Sequence, residues 1–458
     1  MDIFTDFTDL VLLVGTNPLP NYVVAKYFLK HNKKLKRILL VYSEEVKNRQ
    51  AGTKEFAENI TSVIKKEFLS NRPDLQFKHI PISDVGSAST ILKELQRNIK
   101  SEGSSSNTFH LNYTGGTKSM AVQTYKYFLE NFAQQCTFSY LDGRDFKLKG
   151  DESPNCITED LRYEISISFE NLFELHGYEK KGGQNNPSYP ETIKKFEEII
   201  RLGKLNEYLC WKKNTIREFF YKGNKFAETK KQFWTYNNIC SDEDVKRFKE
   251  NFREKTPEII LELLKTIPKE NSILDENGDI WVPAESAINK DYKDRANSVK
   301  NFLDGKWLEV YLYNVLCKKI KEDEKLSELY KKGQLIIDNN YEIKKKNTEK
   351  KGFEIDVILL NGYQICGISC TTASDDSPCK NKGFEIIHRT RQMGGEEAKS
   401  ILITCLEDKE SRSMEDFYED LKDTSGSSTH EFMVLGLEDL TPERLWDKVY
   451  KHIWGIDL

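Results

Sequence analysis

No apolar stretch of the chain approaches the roughly 20 residues that a membrane-spanning helix requires. A dominant charge of one sign is missing as well. Sixty-nine Lys and Arg stand against 73 Asp and Glu, a net charge of −4, so no global field draws the protein to nucleic acid or to a membrane. Any polyanion must be held by local patches. The opening residues, Met1-Asp2-Ile3-Phe4-Thr5-Asp6, lack the basic-then-apolar order of a secretory signal. The nine cysteines are scattered and odd in number, which excludes a disulfide framework and fits buried thiols in a reducing cytoplasm. These absences predict a soluble cytoplasmic protein without membrane contact. At 458 residues the chain exceeds one ordinary core, and two or three domains are expected.

What is present is a regular alternation of apolar runs and helical stretches from Leu10 to about Tyr140. Strand-like runs occur at Leu10–Val14, Arg37–Tyr42, Gln76–Ile80, Thr108–Asn112 and Cys136–Leu141. Helical patterns fill the gaps at Leu19–His31, Thr53–Ser70, Ala88–Ser101 and Thr117–Phe132. Short apolar strands alternating with helices predict an α/β domain over residues 1–150, with a mostly parallel sheet covered on both faces. Residues 151–297 are rich in Lys, Glu, Phe and Tyr. They read as a helical connector, for which a winged-helix-like arrangement is one reading, and Lys180 to Pro187 resembles a linker. From residue 298 to 458 the strands return. Gly352–Leu360, Asn361-Gly362 and Tyr363–Thr372 carry a strong hairpin signal, followed by a helix at about Lys382–Met393 and a strand at Ser400–Cys405.

In open α/β sheets ligands bind beyond the carboxyl ends of the strands. Two loops with unusual residues fall there: Gly15-Thr16-Asn17-Pro18 after the first strand, and Thr114-Gly115-Gly116-Thr117-Lys118 after the fourth. Glycines let backbone N–H groups face outward, and the helix start adds unsatisfied donors and a positive dipole end. The plain alternative is a tight strand-to-helix crossover capped by a threonine. A triphosphate-binding loop is excluded, because Thr117 separates Gly116 from Lys118 and the earlier glycine is missing.

Together, Gly15-Thr16-Asn17-Pro18 and Asn112-Tyr113-Thr114-Gly115-Gly116-Thr117-Lys118 resemble a CARF domain, the Rossmann-like sensor of cyclic oligoadenylates in type III CRISPR defence. The resemblance covers residues 1 to about 150. It implies a homodimer with one cyclic oligoadenylate across its two-fold axis. Contacts would come from Gly15, Thr16, Asn17, Pro18, Asn112, Thr114, Gly115, Gly116, Thr117 and Lys118.

Metal-dependent phosphodiester cleavage needs two or three carboxylates around a divalent ion and profits from a nearby cation. The last third presents Gly305-Lys306-Trp307-Leu308-Glu309 on a helix, then Glu354-Ile355-Asp356, then Ser369-Cys370-Thr371. This order is similar to the restriction-endonuclease-like PD-(D/E)XK nuclease domain that follows CARF domains in cyclic-oligoadenylate-activated nucleases. The resemblance implies Mg²⁺ or Mn²⁺ on Glu309 and Asp356 and a DNA or RNA substrate. Where that family has Glu-x-Lys, this chain has Ser369-x-Thr371, two uncharged side chains on one strand face. Two explanations compete. In one, the carboxylate has moved to Glu385 on the next helix, where Glu385, His388, Arg389 and Gln392 share a face at i, i+3, i+4 and i+7. Ser369 would then hold a ligand water or phosphate oxygen, with Thr371 on the same strand face also in the site, and Gln392 or Arg389 would position substrate. The plain alternative is a solvated outer face, with Ile386, Ile387 and Thr390 turned inward. In the other explanation, the fold persists as a non-enzymatic sensor whose C-terminal domain binds nucleic acid or a protein partner.

Lys380 and Lys382 are candidates for the missing cation, against the simpler reading of solvated loop lysines. The run Lys344-Lys345-Lys346 with Lys350 and Lys351 leads into the Asp356 strand, where contact with nucleic-acid backbone is one reading and solvated charge the favoured one. Cys366, Cys370, Cys379 and His388 do not read as a zinc site. Cys366 and Cys370 would lie about 13 Å apart on an extended strand, too far to share an ion bound at roughly 2.3 Å.

Overall fold

The computed structural model describes residues 6–48, 50–99, 107–151, 156–181, 189–216, 242–280, 298–346, 348, 352–373, 375–407, 413–426 and 431–455. Most of the expected linker at 180–187 lies outside them. The chain divides into two compact units. One comprises Met1–Gly183, Asp323–Gly367 and Glu385–Ser400; the other comprises Gln184–Glu322, Ile368–Phe384 and Ile401–Leu458.

The first unit opens with β1 (Asp9–Val14), α1 (Leu19–His31), β2 (Arg37–Ser43), α2 (Lys54–Phe68), β3 (Gln76–Ile82), α3 (Ala88–Ile99), β4 (Phe109–Asn112), α4 (Lys118–Phe132), β5 (Cys136–Asp142) and β6 (Lys147–Gly150). The strand order is β3-β2-β1-β4-β5-β6. β1 pairs in parallel with both β2 and β4, and only β6 runs antiparallel to its neighbour. Every residue of β1 is buried, as a central parallel strand covered on both faces requires. On α2 the buried positions Ala57, Ile60, Val63 and Ile64 form one stripe at helical spacing. Val11, Leu13, Leu39, Val41, Ile80 and Leu111 meet Leu95 and Phe128 in one core. The chain leaves β1 toward β2 and returns to its other side as β4, so the switch point of the sheet lies between β1 and β4.

The chain continues through α5 (Phe169–Leu175), β7 (Tyr178–Lys180), α6 (Pro190–Arg201), α7 (Leu205–Trp211), α8 (Asp242–Lys255), α9 (Glu258–Lys265), α10 (Trp307–Glu322) and α11 (Glu324–Lys331). Then come β8 (Leu335–Lys345), β9 (Phe353–Asn361), β10 (Gln364–Cys370), α12 (Asp376–Gly394), β11 (Lys399–Ile403), α13 (Met414–Ser425), β12 (Phe432–Leu435) and α14 (Pro442–Trp454). The second sheet is mixed, in the order β12-β11-β10-β9-β8-β7, and β8 is antiparallel to both β7 and β9. Thus the expected helical connector also supplies a strand, β7. The expected hairpin forms with its corner shifted by one residue, since Asn361 still belongs to β9. Gly362 takes φ +63, and a Cβ there would lie 2.2 Å from the Arg162 carbonyl oxygen, so only glycine fits.

His110 of β4 is fully buried between the hydroxyls of Thr137 and Ser139, each at 2.7 Å, and stacks on Phe7. Burial pushes its pKa down to about 3, and that of His176, also buried, to about 4. Both imidazoles are therefore neutral in the fold, while an unfolded one titrates near 6.5. Their contribution to stability is complete above that value and is lost as pH falls toward the folded pKa values. The slope is about 1.4 kcal/mol per pH unit per imidazole. Thermal melting between pH 7 and 4 is expected to show a steep fall that His110→Gln flattens. An unchanged pH slope in that variant refutes the assignment.

Candidate functional site

A cleft of about 660 Å³ lies at the carboxyl ends of the central strands of the first sheet. Of the ten residues expected to contact a ligand, Gly15, Thr16, Gly116 and Thr117 line it. Gly115 lies beneath them, pressed on β1: a Cβ there would fall 2.1 Å from the Leu13 carbonyl oxygen. Gly116 takes φ +75, and its backbone nitrogen would be 3.1 Å from a Cβ on Gly15. The two loops therefore meet backbone to backbone, which side chains would forbid. The Thr117 side chain caps α4 by accepting from the Met120 N–H at 3.2 Å. Lys118 follows, exposed on the first turn.

The remaining expected contacts face inward. Asn112 is buried and donates to the Ser139 hydroxyl at 3.0 Å. Thr114 donates to Asn112 Oδ1 at 2.8 Å and accepts from the Leu141 N–H at 2.7 Å. With His110 on the other side of Ser139, this chain of bonds staples the turn to β5. Asn17, just before the helix, accepts from the Leu19 N–H at 3.1 Å, and Pro18 is buried at the start of α1. Asn17 also packs on the turn that ends α12: Gly395 has φ +81, and a Cβ there would lie 2.4 Å from Asn17 Nδ2. A spacing argument could not separate these braces from contacts, because Asn and Thr serve in both.

The cleft also includes residues that sequence reasoning missed, among them Ser43, Gln50, Thr53, Ser83, Asp84 and Gly86. Gln50 bridges two loops, donating to the Glu44 carbonyl at 2.6 Å and accepting from the Val85 N–H at 2.9 Å. Thr53 donates to the Val14 carbonyl at 3.0 Å. The residues that line the cleft here are small or polar, without a turn motif of their own, so sequence spacing does not single them out.

In the second unit a cleft of about 510 Å³ is lined by Lys212, Asp304, Lys306, Glu309, Thr371 and Lys382, among others. Glu309 lies on the first turn of α10. Before it, Phe302–Lys306 forms a π turn, a widened helical turn of the kind that often re-aims side chains at functional sites. Lys306 Nζ stands 2.6 Å from Glu309 Oε2. The buried Lys212 donates to the Asp304 carbonyl at 2.9 Å and to Thr372 Oγ1 at 2.6 Å. Thr372 in turn donates to the same carbonyl at 2.6 Å, which ties the π turn to the segment after β10. Thr371 extends β10 beside β11, donating its N–H to the Ile403 carbonyl at 2.9 Å. Ser369 is buried.

In the first unit, Glu354 and Asp356 share one face of β9 at a spacing of two, Glu354 exposed and Asp356 buried. The β8–β9 register places Asn340 across from Asp356. Asn340 has φ +61, a region non-glycine residues seldom visit, so β8 is distorted beside the candidate acid. On α12, Glu385 and His388 are exposed while Ile386, Ile387 and Thr390 are buried. Arg389 lies over the Phe353 ring at 4.5 Å, and Gln392 donates to the Tyr178 hydroxyl at 2.5 Å. Lys380 pairs with Asp420 at 3.1 Å. In the basic run, Lys344 and Lys346 pair with Glu179 and Glu174. Burial pushes the Cys366, Cys379 and Cys405 thiols up to about 12. Glu309 in the second unit and Glu354 and Asp356 in the first are carboxylates, the oxygen donors that Mg²⁺ or Mn²⁺ takes.

Residues 10–168 match the family model of the Card1 CARF domain, so the first sheet and its helices form a CARF domain. Over nearly its whole length the chain is also similar in fold to two solved structures. One is Can2 from Sulfobacillus thermosulfidooxidans in complex with cyclic tetra-adenylate, with 16% identity, 97% of this chain and 99% of that one covered, and a TM-score of 0.59. The other is protein VC1899 from Vibrio cholerae, with 14% identity, 96% and 98% covered, and a TM-score of 0.58. No curated protein sequence matches the chain. Among the described residues no helix is long and apolar enough to cross a membrane.

Proposed function

We propose that this chain is a cyclic-oligoadenylate-activated, divalent-metal-dependent nuclease acting in type III CRISPR defence. The observation that carries the reading is one polypeptide bearing both a CARF switch-point cleft and, in its last third, the carboxylates Glu309 and Asp356 that the nuclease resemblance assigns to a metal. In the cleft, the Gly15 and Gly116 backbones and the positive start of α4 would meet phosphate, with Lys118 adding a cation. Asn112, Thr114 and Asn17 would hold the loops in shape. A second copy of the chain would complete the ligand cage across a two-fold axis.

For cleavage Glu309 and Asp356 would serve as ligands of Mg²⁺ or Mn²⁺, with Glu354 as a third acid. Glu385, exposed on α12, is the alternative third acid. A divalent ion bound there supplies Lewis-acid activation of water and of the phosphodiester. Ser369 and Thr371 would orient the phosphate by hydrogen bonding. Turning such an enzyme from about 1% to 99% active requires roughly 5.5 kcal/mol of differential ligand affinity, which a ligand gripped by two subunits can supply. The packing of Asn17 on Gly395 offers a route for that energy, since Gly395 directly follows the helix that carries Glu385.

The test is incubation of the purified protein with plasmid DNA and single-stranded RNA, with Mg²⁺ or Mn²⁺, and a panel of cyclic oligoadenylates. Cleavage is expected only when metal and one cyclic ligand are both present. Ligand binding with no cleavage in any combination moves the chain to the non-enzymatic reading that the uncharged Ser369 and Thr371 favour.

A further inference from the structure

The nuclease centre lacks a strand lysine, yet its cleft contains a cation delivered from another element. We propose that Lys306 takes the place of that lysine and binds the scissile phosphate. This rests on the nuclease reading above. Lys306 closes the π turn directly before α10, and its Nζ stands 2.6 Å from Glu309 Oε2. Their side chains are only 21% and 14% exposed, so this is not a loose surface pair. The π turn gives the helix start one residue more per turn than an α-helix, which re-aims Lys306 relative to a regular turn. The turn is also anchored from behind. Lys212 and Thr372 both grip the Asp304 carbonyl, at 2.9 and 2.6 Å.

The other lysines are less suited. Lys212 is buried and donates to a backbone carbonyl and a hydroxyl. Lys380 is committed to Asp420. Lys213 lines the same cleft but is exposed, so Lys382, half-buried there, is the main competitor.

In the resting protein the ammonium neutralises Glu309. Were Glu309 to hold a divalent cation, the Lys306 ammonium would be in reach of a non-bridging phosphate oxygen in the same cleft. In hydrolysis a water oxygen bonds to phosphorus and the P–O bond to the leaving sugar breaks. One water proton passes through solvent to the leaving oxygen, and no other co-reactant is needed. The Lys306 charge offsets the negative charge that builds on the phosphoryl oxygens, a use for which a fixed, partly desolvated ammonium is well suited.

The experiment compares Lys306→Met, Lys306→Arg and Lys382→Met in the full-length protein. Three readouts are taken: turnover, Mn²⁺ binding by calorimetry, and binding of plasmid DNA and single-stranded RNA in Ca²⁺. Lys306→Met is expected to lower turnover about 100-fold, the scale for losing one transition-state donor. It should also weaken nucleic-acid binding about tenfold, as for one lost charged hydrogen bond, while Mn²⁺ binds no more weakly than in the wild type. Lys306→Arg restores much of both, and Lys382→Met changes little. Melting temperatures identify any variant that misfolds, in which case Lys306→Gln replaces it. Wild-type turnover with an undiminished Lys306→Met variant, or the loss appearing in Lys382→Met instead, overturns the assignment. If the wild type cleaves nothing, the nuclease reading fails. Lys306 is then judged on nucleic-acid binding alone, where unchanged affinity in Lys306→Met overturns it.

Discussion

Asp356→Asn is expected to remove nucleic-acid cleavage by a factor of about 10³ or more, the upper range for losing a group that acts on transition-state charge. The position is 4% exposed on β9, so an isosteric amide keeps the volume and removes only the charge. That charge is what a hard divalent cation requires: an amide oxygen is a weaker donor and leaves the site one negative unit poorer. Three measurements separate this from misfolding. The variant should melt close to the wild type, bind cyclic oligoadenylate with the same affinity, and lose Mn²⁺ affinity by calorimetry. Undiminished cleavage in Asp356→Asn would remove Asp356 from the metal site and with it the order of acids inferred from the sequence.

Gly115→Ala is expected to have a comparable effect at the other end of the chain, on ligand binding rather than on chemistry. The added Cβ would lie 2.1 Å from the Leu13 carbonyl oxygen and 3.2 Å from Asn21 Oδ1. The first distance is far inside van der Waals contact with rigid backbone, so the Thr-Gly-Gly turn has to lift off β1. That displacement also disturbs the buried Asn21 side chain, which donates to the same carbonyl at 2.9 Å. Overpacking of this kind costs about 1–3 kcal/mol. The turn that presents the Gly116 backbone moves with it. Calorimetry should show cyclic-oligoadenylate affinity falling by about 100-fold, equivalent to the upper part of that cost, with a lower melting temperature. Gly86→Ala is the contrast within the same cleft. The nearest atom to its Cβ is the end of the Asp84 side chain at 3.3 Å, which can swing away, so binding should change little. Equal losses in both variants would mean that the cleft is sensitive to any added methyl group, and the special role of the turn would fall.

Much of the first sheet was legible because its signals are local. β1 to β5 and their four helices follow from short apolar runs separated by amphipathic stretches, and each end lies within about two residues of its expected place. The loops beyond β1 and β4 were legible too, since glycine and proline mark sharp turns whatever surrounds them. The roles within those loops were not. Asn17, Asn112 and Thr114 look like ligand contacts in the sequence, whereas their hydrogen bonds run to Leu19, Ser139 and Leu141. A polar side chain satisfies whichever donor or acceptor the fold brings near it, and spacing does not reveal which.

The last third divides in the same way. The β9–β10 hairpin follows from Asn361 and Gly362, although the corner moved by one residue because Gly362 is the residue that tolerates the Arg162 carbonyl. The helix expected from Lys382 begins instead at Asp376. Its early residues lack a clear apolar period, but Cys379 and Gly383 are buried there, so packing extended the helix beyond its local signal. The sequence by itself determined the strand and helix alternation and the two glycine-bearing turns. Those depend on short-range propensity and on residue chemistry. Only the tertiary structure decided that Lys306 faces Glu309, that Lys212 braces the π turn, and that Asn340 distorts β8 across from Asp356. Each of those arises from packing among segments distant in the chain or from a backbone conformation that no local pattern encodes.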